Sequence, residues 1–274
     1  MTDDAQVAAP SPIQLLRSKS YIGLLLLGAI VGVPVAAVAY FFLKAVAEVQ
    51  QYVFTTLPGD LGFDSPPGWW PIAPLVLSGL LVALTIQYLP GEAGHKPAEG
   101  FHAGGPVPPI ELPGIFLAAF ATLSLGVVLG PEAPLIAIGS GLGVLAVHLI
   151  KRDAPASAAM VIGGAGSFAA IAALLGSPLA GAFLMMEAAG LGGAMLGVIL
   201  VPGLLAAGIG SLIYVGLNTW TGFGTFSLGI PDIPPAASPT VGQFLWAIAI
   251  GLLAALVGAG ISRLALFLQP IVER

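Results

Sequence analysis

Charge is scarce in this sequence. Asp, Glu, Lys and Arg together make up 8% of its 274 residues, against about 25% in a soluble domain. A water-facing surface cannot be covered at that density, which excludes an ordinary soluble globular protein. The few charges are also unevenly placed: none occurs from Leu112 to Pro131, from Ala154 to Met186, from Ala188 to Pro231, or from Ile233 to Ser262. Each interval reaches the ~20 apolar residues that cross ~30 Å of hydrocarbon as a helix. The alternating ~10-residue segments of a membrane β-barrel do not appear. Cysteine is absent altogether, which excludes a disulfide framework and a thiolate metal site. The net charge of -5 is spread thinly, so no basic patch offers itself to nucleic acid.

What is present is apolar. Hydrophobic residues make up 57% of the chain and the mean hydropathy is +1.01, so the expected fold class is an all-α polytopic membrane protein. The first 20 residues are polar, and the Tyr21–Leu43 run that follows is longer than the 7–15-residue core of a signal peptide. It therefore reads as a retained first span, extending to Val49 with a kink expected at Pro34. Arg17 and Lys19 ahead of it favour a cytoplasmic N-terminus. A polar connection is expected over Gln50–Trp70, ending in an interfacial Trp69-Trp70 pair, and a second span over Pro71–Leu89. Residues Pro90–Glu111 are the most polar interior stretch. The apolar segment from Leu112 breaks at Gly130-Pro131, resumes to Ile150, and the next breaks again at Gly176-Ser177-Pro178. Ser177 is a natural N-cap and Pro178 a natural first helical residue. The block after it is expected to run to about Leu217, and a last span to cover Val241–Phe267. A small-residue ridge, Gly193-x-x-x-Gly197, suits close helix packing.

Backbone broken at membrane depth is tolerated where it is buried in protein or lines a cavity. Helix N-termini placed there are a known way of holding anions. Glu132 lies at such a break, between Pro131 and Pro134, within a run otherwise uncharged from Leu112 to Ile150. The unpaired N–H groups of a first helical turn attract anions. A carboxylate tethered there competes with a diffusible anion for the same donors and releases them on protonation. That is the physical basis of a gate, and an ionisable residue at membrane depth is a functional candidate. The alternative is a glutamate that only caps its own helix.

Gly130-Pro131-Glu132-Ala133-Pro134, followed by an apolar helix, resembles the Gly-Arg-Glu-Gly-Pro signature of the CLC family of chloride channels and chloride/proton exchangers. Gly176-Ser177-Pro178-Leu179-Ala180-Gly181 with Glu187 downstream resembles that family's second signature, and the two stand in the family's order. The resemblance implies transport of chloride or a similar small anion, with Glu132 as the gate and Gly130, Pro131, Ala133 and Pro134 helping to form the anion site. It implies no enzyme activity and no cofactor. The expected setting is a multi-pass protein of the plasma membrane, paired as a homodimer.

Three departures qualify it. Pro131 replaces the signature arginine. The family's serine-bearing loop has its best counterpart in Gly94-His95-Lys96-Pro97, which lacks a serine; His95 or Lys96 could attract an anion, or Gly94 could leave backbone donors to do so, or the segment is an ordinary polar loop. Ala188 stands where exchangers carry a second, inner glutamate, which modestly favours a channel over a proton-coupled exchanger. Glu187 is expected to be structural, accepting hydrogen bonds from nearby backbone. His148 reads as interfacial. His95, Glu99 and His102 do not lie on a helical scaffold suited to a metal, so no metal site is expected.

By this resemblance the domains are a polar segment over 1–20, a first membrane repeat over 21–217, a loop over 218–239 and the start of a second repeat over 240–274. The family builds its pathway from two inverted repeats, so the rest of the second repeat, or a complementing chain, is expected as a partner. A non-conducting assembly subunit derived from one half is the competing expectation. The 274 residues reconstituted alone in liposomes are therefore expected to show no chloride efflux above protein-free vesicles; robust efflux would refute this.

Overall fold

The computed structural model describes residues 16–91, 105–188, 193–224 and 238–272. Every regular element among them is helical. The chain opens with α1 (Lys19–Gln51), a π-helical turn (Tyr52–Thr56) and α2 (Leu57–Asp60). Then follow α3 (Ile72–Tyr88), a 3₁₀ turn (Pro109–Glu111), α4 (Leu112–Ser124), α5 (Glu132–Ile150), α6 (Ala156–Leu175), α7 (Pro178–Ala188), α8 (Gly193–Thr221) and α9 (Val241–Val272). Five helical stretches among the described residues are long and apolar enough to cross a bilayer: Lys19–Asp60, Glu132–Ile150, Ala156–Leu175, Gly197–Thr221 and Val241–Ile271. The all-α polytopic membrane fold is thus as expected.

The helices pack around α6. Its sequence, rich in alanine and glycine, has almost no side chain to hold neighbours away, and most of its residues from Val161 to Leu174 are buried. With lipid tails as apolar as leucine, helices in a bilayer gain most from close backbone approach. On one side Gly139 and Gly143 of α5 lie directly against the backbone of Gly166 and Ile162, so that a Cβ at any of these glycines would overlap the opposite helix. On another side Gly203 of α8 lies under the Phe168 ring, and at the C-terminal end Gly181 of α7 meets the backbone of Ala172. Ser167 adds a cross-helix hydrogen bond, its Oγ donating to the Ile136 carbonyl at 2.9 Å.

α1 packs on α8 in the same manner. Gly28 faces Pro202 and Gly32 faces the Ala206 carbonyl. Higher up, Tyr40 meets Tyr214 edge to face and shares a 2.7 Å hydrogen bond with Thr221 Oγ1. Lys44 pairs with Glu48 at 2.7 Å and lies 5.8 Å from the centre of the Phe223 ring. The α1–α8 pair also resolves a backbone problem. Pro202 lies inside α8 and has no N–H, so the Val198 carbonyl four residues earlier loses its intrahelical donor. The buried Tyr21 hydroxyl donates to that carbonyl at 3.1 Å, and to Gly197 at 3.3 Å.

Two expectations are corrected. Residues 50–60 are helical rather than a polar connection: the π-turn lets the first span continue past Gln50 to Asp60, and only then does Gly62 turn the chain. The segment before Glu132 leaves its helix at Ser124, not at Gly130, so 125–131 is a turn followed by irregular chain. The block after Pro178 holds α7 and α8. Pro34 lies within α1, which continues through it. The Gly193-x-x-x-Gly197 ridge begins among residues whose side-chain surroundings lie outside the description. α9 falls in the second of two compact units and is apolar over most of its length, with Gln243, Arg263 and Gln269 towards its ends.

Tyr21→Phe is expected to lower the stability of the detergent-solubilised protein by about 1 kcal/mol, the usual worth of such a hydrogen bond. In a Pro202→Ala background, which restores the missing N–H, the same change is expected to be nearly neutral. Equal losses in both backgrounds, read by thermal unfolding, would show that Tyr21 is not replacing the proline's donor.

Candidate anion site at a helix N-terminus

The connection from α4 to α5 carries the chain to Glu132. α4 ends in a turn in which the Val127 amide donates to the Thr122 carbonyl at 3.1 Å. This leaves the Leu123 carbonyl without its helical donor, and Gln50 of α1 supplies one from Nε2 at 3.0 Å. Gly126 follows in the left-handed region (φ 90°), its α-carbon against the Phe54 ring, where a Cβ would come within 2.5 Å of Cζ. Gln50 and Phe54, one turn apart around the start of the π-turn, therefore hold this connection from below. A cavity of about 530 Å³ opens beside them, lined by Ala47, Gln50, Gln51, Phe54, Thr55 and Gly126. Val128 and Leu129 beyond it are exposed.

α5 begins at Glu132 with Pro131 as the N-cap residue (φ −77°, ψ 0°) and no side-chain cap. A helix start has four N–H groups without intrahelical acceptors, from the N-cap to the third helical residue. Here two of those positions are prolines, 131 and 134, and carry no N–H. The donors that remain are the amides of Glu132 and Ala133. Both lie at the positive end of the helix dipole, and no capping side chain occupies them. The Glu132 side chain is half-buried and folds back over Gly130 rather than running out along the helix. The first turn is closed by the Leu135 amide donating to the Pro131 carbonyl at 3.0 Å. Further along, Ser140 Oγ accepts from the Val107 amide at 3.1 Å, and Ser167 holds the Ile136 carbonyl, so α5 is tied down one turn below its open end.

The second break is built differently. Gly176 ends α6 in the left-handed conformation (φ 65°). Ser177 then caps α7: its Oγ accepts from the Ala180 amide at 3.3 Å, and its carbonyl accepts from Gly181 at 3.0 Å. Pro178 is the first helical residue, as the sequence implied. The donors of this terminus are thus partly used by the chain itself. Glu187 is exposed near the end of α7, whereas Ala188 is buried. His148 is exposed in the last turn of α5. Gly94, His95, Lys96, Pro97, Glu99 and His102 lie outside the described residues. No group of three His, Asp or Glu residues that could hold a metal occurs among the described ones.

Sequence reasoning overlooked Gln50 and Phe54, because it assigned residues 50–70 to a loop. The available signal was two adjacent glutamines, Gln50 and Gln51, at the end of an otherwise apolar run, where a polar amide has reason to persist only if it meets a partner.

Apolar helices of spanning length, together with α5 and the shorter α7 begun at proline-marked breaks, define an integral membrane protein of the polytopic kind. The chain belongs to the voltage gated chloride channel family, which matches residues 79–274. Among curated relatives it is 35% identical over 176 residues to "Putative ion-transport protein YfeO" of Salmonella schwarzengrund, covering 62% of this chain and 41% of that protein. It is 33% identical over 174 residues to the protein of the same name in Escherichia coli, covering 62% of this chain and 40% of that one. The chain therefore matches about two fifths of the length of these relatives.

Ser177→Ala is expected to lower stability by about 1 kcal/mol, the usual loss on removing an N-cap side chain. Thermal unfolding in detergent checks this, and an unchanged midpoint would mean that α7 does not depend on its cap.

Proposed function

We propose that this chain carries the gate-bearing part of a CLC-type pathway for chloride or a similar small anion, with Glu132 as the gate. The observation that supports this best is the contrast between the two broken helices. α7 commits its Ala180 amide to the Ser177 hydroxyl, whereas α5 leaves the amides of Glu132 and Ala133 without a side-chain cap and tethers a carboxylate beside them. A small anion and the Glu132 carboxylate compete for those two donors. When the carboxylate is ionised it holds the position; when it is protonated or swung away, a diffusible anion takes it. Gly130, Pro131, Ala133 and Pro134 shape this terminus, and the Gly94–Pro97 segment is the candidate for a second contact.

Channel-type permeation is favoured over proton-coupled exchange by Ala188, an apolar residue on the family's inner proton position. In this reading residues 21–217 form the first membrane repeat and 240–274 start the second. The complete assembly is a homodimer in the plasma membrane, with either the remainder of the second repeat or a complementing chain closing each pathway. A non-conducting assembly subunit is the second reading.

Anion efflux from membrane vesicles of cells expressing the complete assembly distinguishes them. Because protonation frees the donors, flux is expected to rise as pH falls. Glu132→Gln, a mimic of the protonated state, is expected to raise flux at neutral pH on the order of tenfold, the effect of ~1.4 kcal/mol of lost competition, and to flatten the pH dependence. If Glu132→Gln and Glu132→Ala both leave flux and its pH dependence unaltered, the gate assignment is wrong.

A further inference from the structure

We propose that Gly130 is the positioning residue of the gate: the space left by its missing Cβ is the seat of the Glu132 carboxylate. This rests on the reading of Glu132 as the gate and extends it to a residue that neither donates a hydrogen bond to the carboxylate nor carries charge.

Gly130 differs from the other tightly packed glycines of the chain in what its absent side chain would meet. At Gly32, Gly139, Gly143, Gly166 and Gly181 the nearest atoms belong to the backbone of another helix, so those glycines serve helix packing. At Gly130 the three nearest heavy atoms are Oε2, Cδ and Oε1 of Glu132, with Cδ 2.8 Å and Oε1 3.2 Å from the Cβ position and Oε2 overlapping it. The backbone of Gly130 is not left-handed, in contrast to Gly126 four residues earlier. An alanine can therefore adopt the local conformation, and Gly130 is exposed, so nothing in the core opposes a methyl group. What opposes it is the carboxylate.

The geometry also accounts for the direction in which Glu132 folds. Pro131 forms the N-cap, and with Pro134 it removes two of the four N–H groups that would draw the carboxylate along the helix. The side chain turns back instead, over the residue two positions earlier, and it can do so only if that residue has no Cβ. Removing this seat does not touch the two amide donors. A methyl group at position 130 thus displaces the tethered anion and leaves the site for the diffusible one.

The prediction is that Gly130→Ala reproduces the open phenotype of Glu132→Ala while the glutamate is still present. Flux in expressing-cell vesicles rises towards that of Glu132→Ala and loses its pH dependence. The double variant Gly130→Ala/Glu132→Ala matches Glu132→Ala alone to within about twofold, because residues that act through one contact are not additive. A second measurement does not depend on conduction. Labelling of Glu132 by a membrane-permeant carbodiimide, read by mass spectrometry of the full chain, is expected to be faster in Gly130→Ala, since the carboxyl leaves its half-buried position.

The results separate the two claims. If Glu132→Ala leaves flux unchanged the gate reading falls, and the labelling rate still decides whether Gly130 seats the carboxylate. If Glu132→Ala alters flux but Gly130→Ala alters neither flux nor labelling, the positioning role is refuted and the gate survives. An equal effect of Gly130→Ala with and without Glu132 also refutes it, since the methyl group would then act on the pathway directly. Should Gly130→Ala fail to accumulate in the membrane, recovery in the Glu132→Ala background supports the contact, and failure there overturns it.

Discussion

The close approach of α6 to its neighbours is the constraint on which the rest depends. A helix of ordinary side chains holds its neighbours 8–10 Å away. One built mainly of alanine and glycine lets backbone meet backbone, and here it does so towards α5 and α7, while Gly203 of α8 lies under its Phe168 ring. In a bilayer this matters more than in water, because apolar area alone gives little preference for helix over lipid. The two broken helices are thereby anchored along their length, and the N-terminal end of α5 can be left open without loss of position. α5 illustrates this. Gly139 and Gly143 lock its middle against α6 and Ser167 grips it just below the first turn, so the terminus at Glu132 needs no cap to stay in place.

Much of this could be read from the residues. Long charge-free intervals gave the spans, since hydrocarbon tolerates little charge and the lengths are fixed by its thickness. The breaks at 130–131 and 176–178 were legible because proline and glycine act locally. Ser177 was legible as a cap for the same reason. The continuation of α1 to Asp60 was not. Thr55, Thr56, Pro58 and Gly59 all argue against a helix by propensity, and a π-turn has no composition of its own. Tertiary contact decided the matter: Trp70 Nε1 donates to the Val53 carbonyl at 2.9 Å, and Gln50 and Phe54 engage the α4–α5 connection.

At the candidate site the sequence showed which residues are present and not how they face one another. The motif placed a glutamate at a helix start, and the flanking prolines could be counted. That those prolines leave two amides, and that the carboxylate turns back upon Gly130, are facts of side-chain direction, which spacing does not encode. The contrast with α7 was legible on one side only, through Ser177 as an expected cap. Both breaks carry a proline and a small or polar neighbour, yet only one has a hydroxyl bonded to its own first turn.

The π-turn at Tyr52–Thr56 has a geometrical consequence of a different kind. A helix advances about 100° per residue, so one residue of extra winding sets the screw phase of everything beyond it against everything before it. The lower part of α1 is phased by its seam with α8, through Gly28, Gly32 and Tyr40. Beyond the π-turn Phe63, Trp69 and Trp70 form an aromatic cluster, and Trp70 Nε1 holds the Val53 carbonyl within the turn. The wider winding of Tyr52–Thr56 therefore offsets the faces of the helix beyond it from those of the α8 seam. Gln50 and Phe54 stand at this change of winding, so the directions in which they meet the approach to Glu132 are set by it.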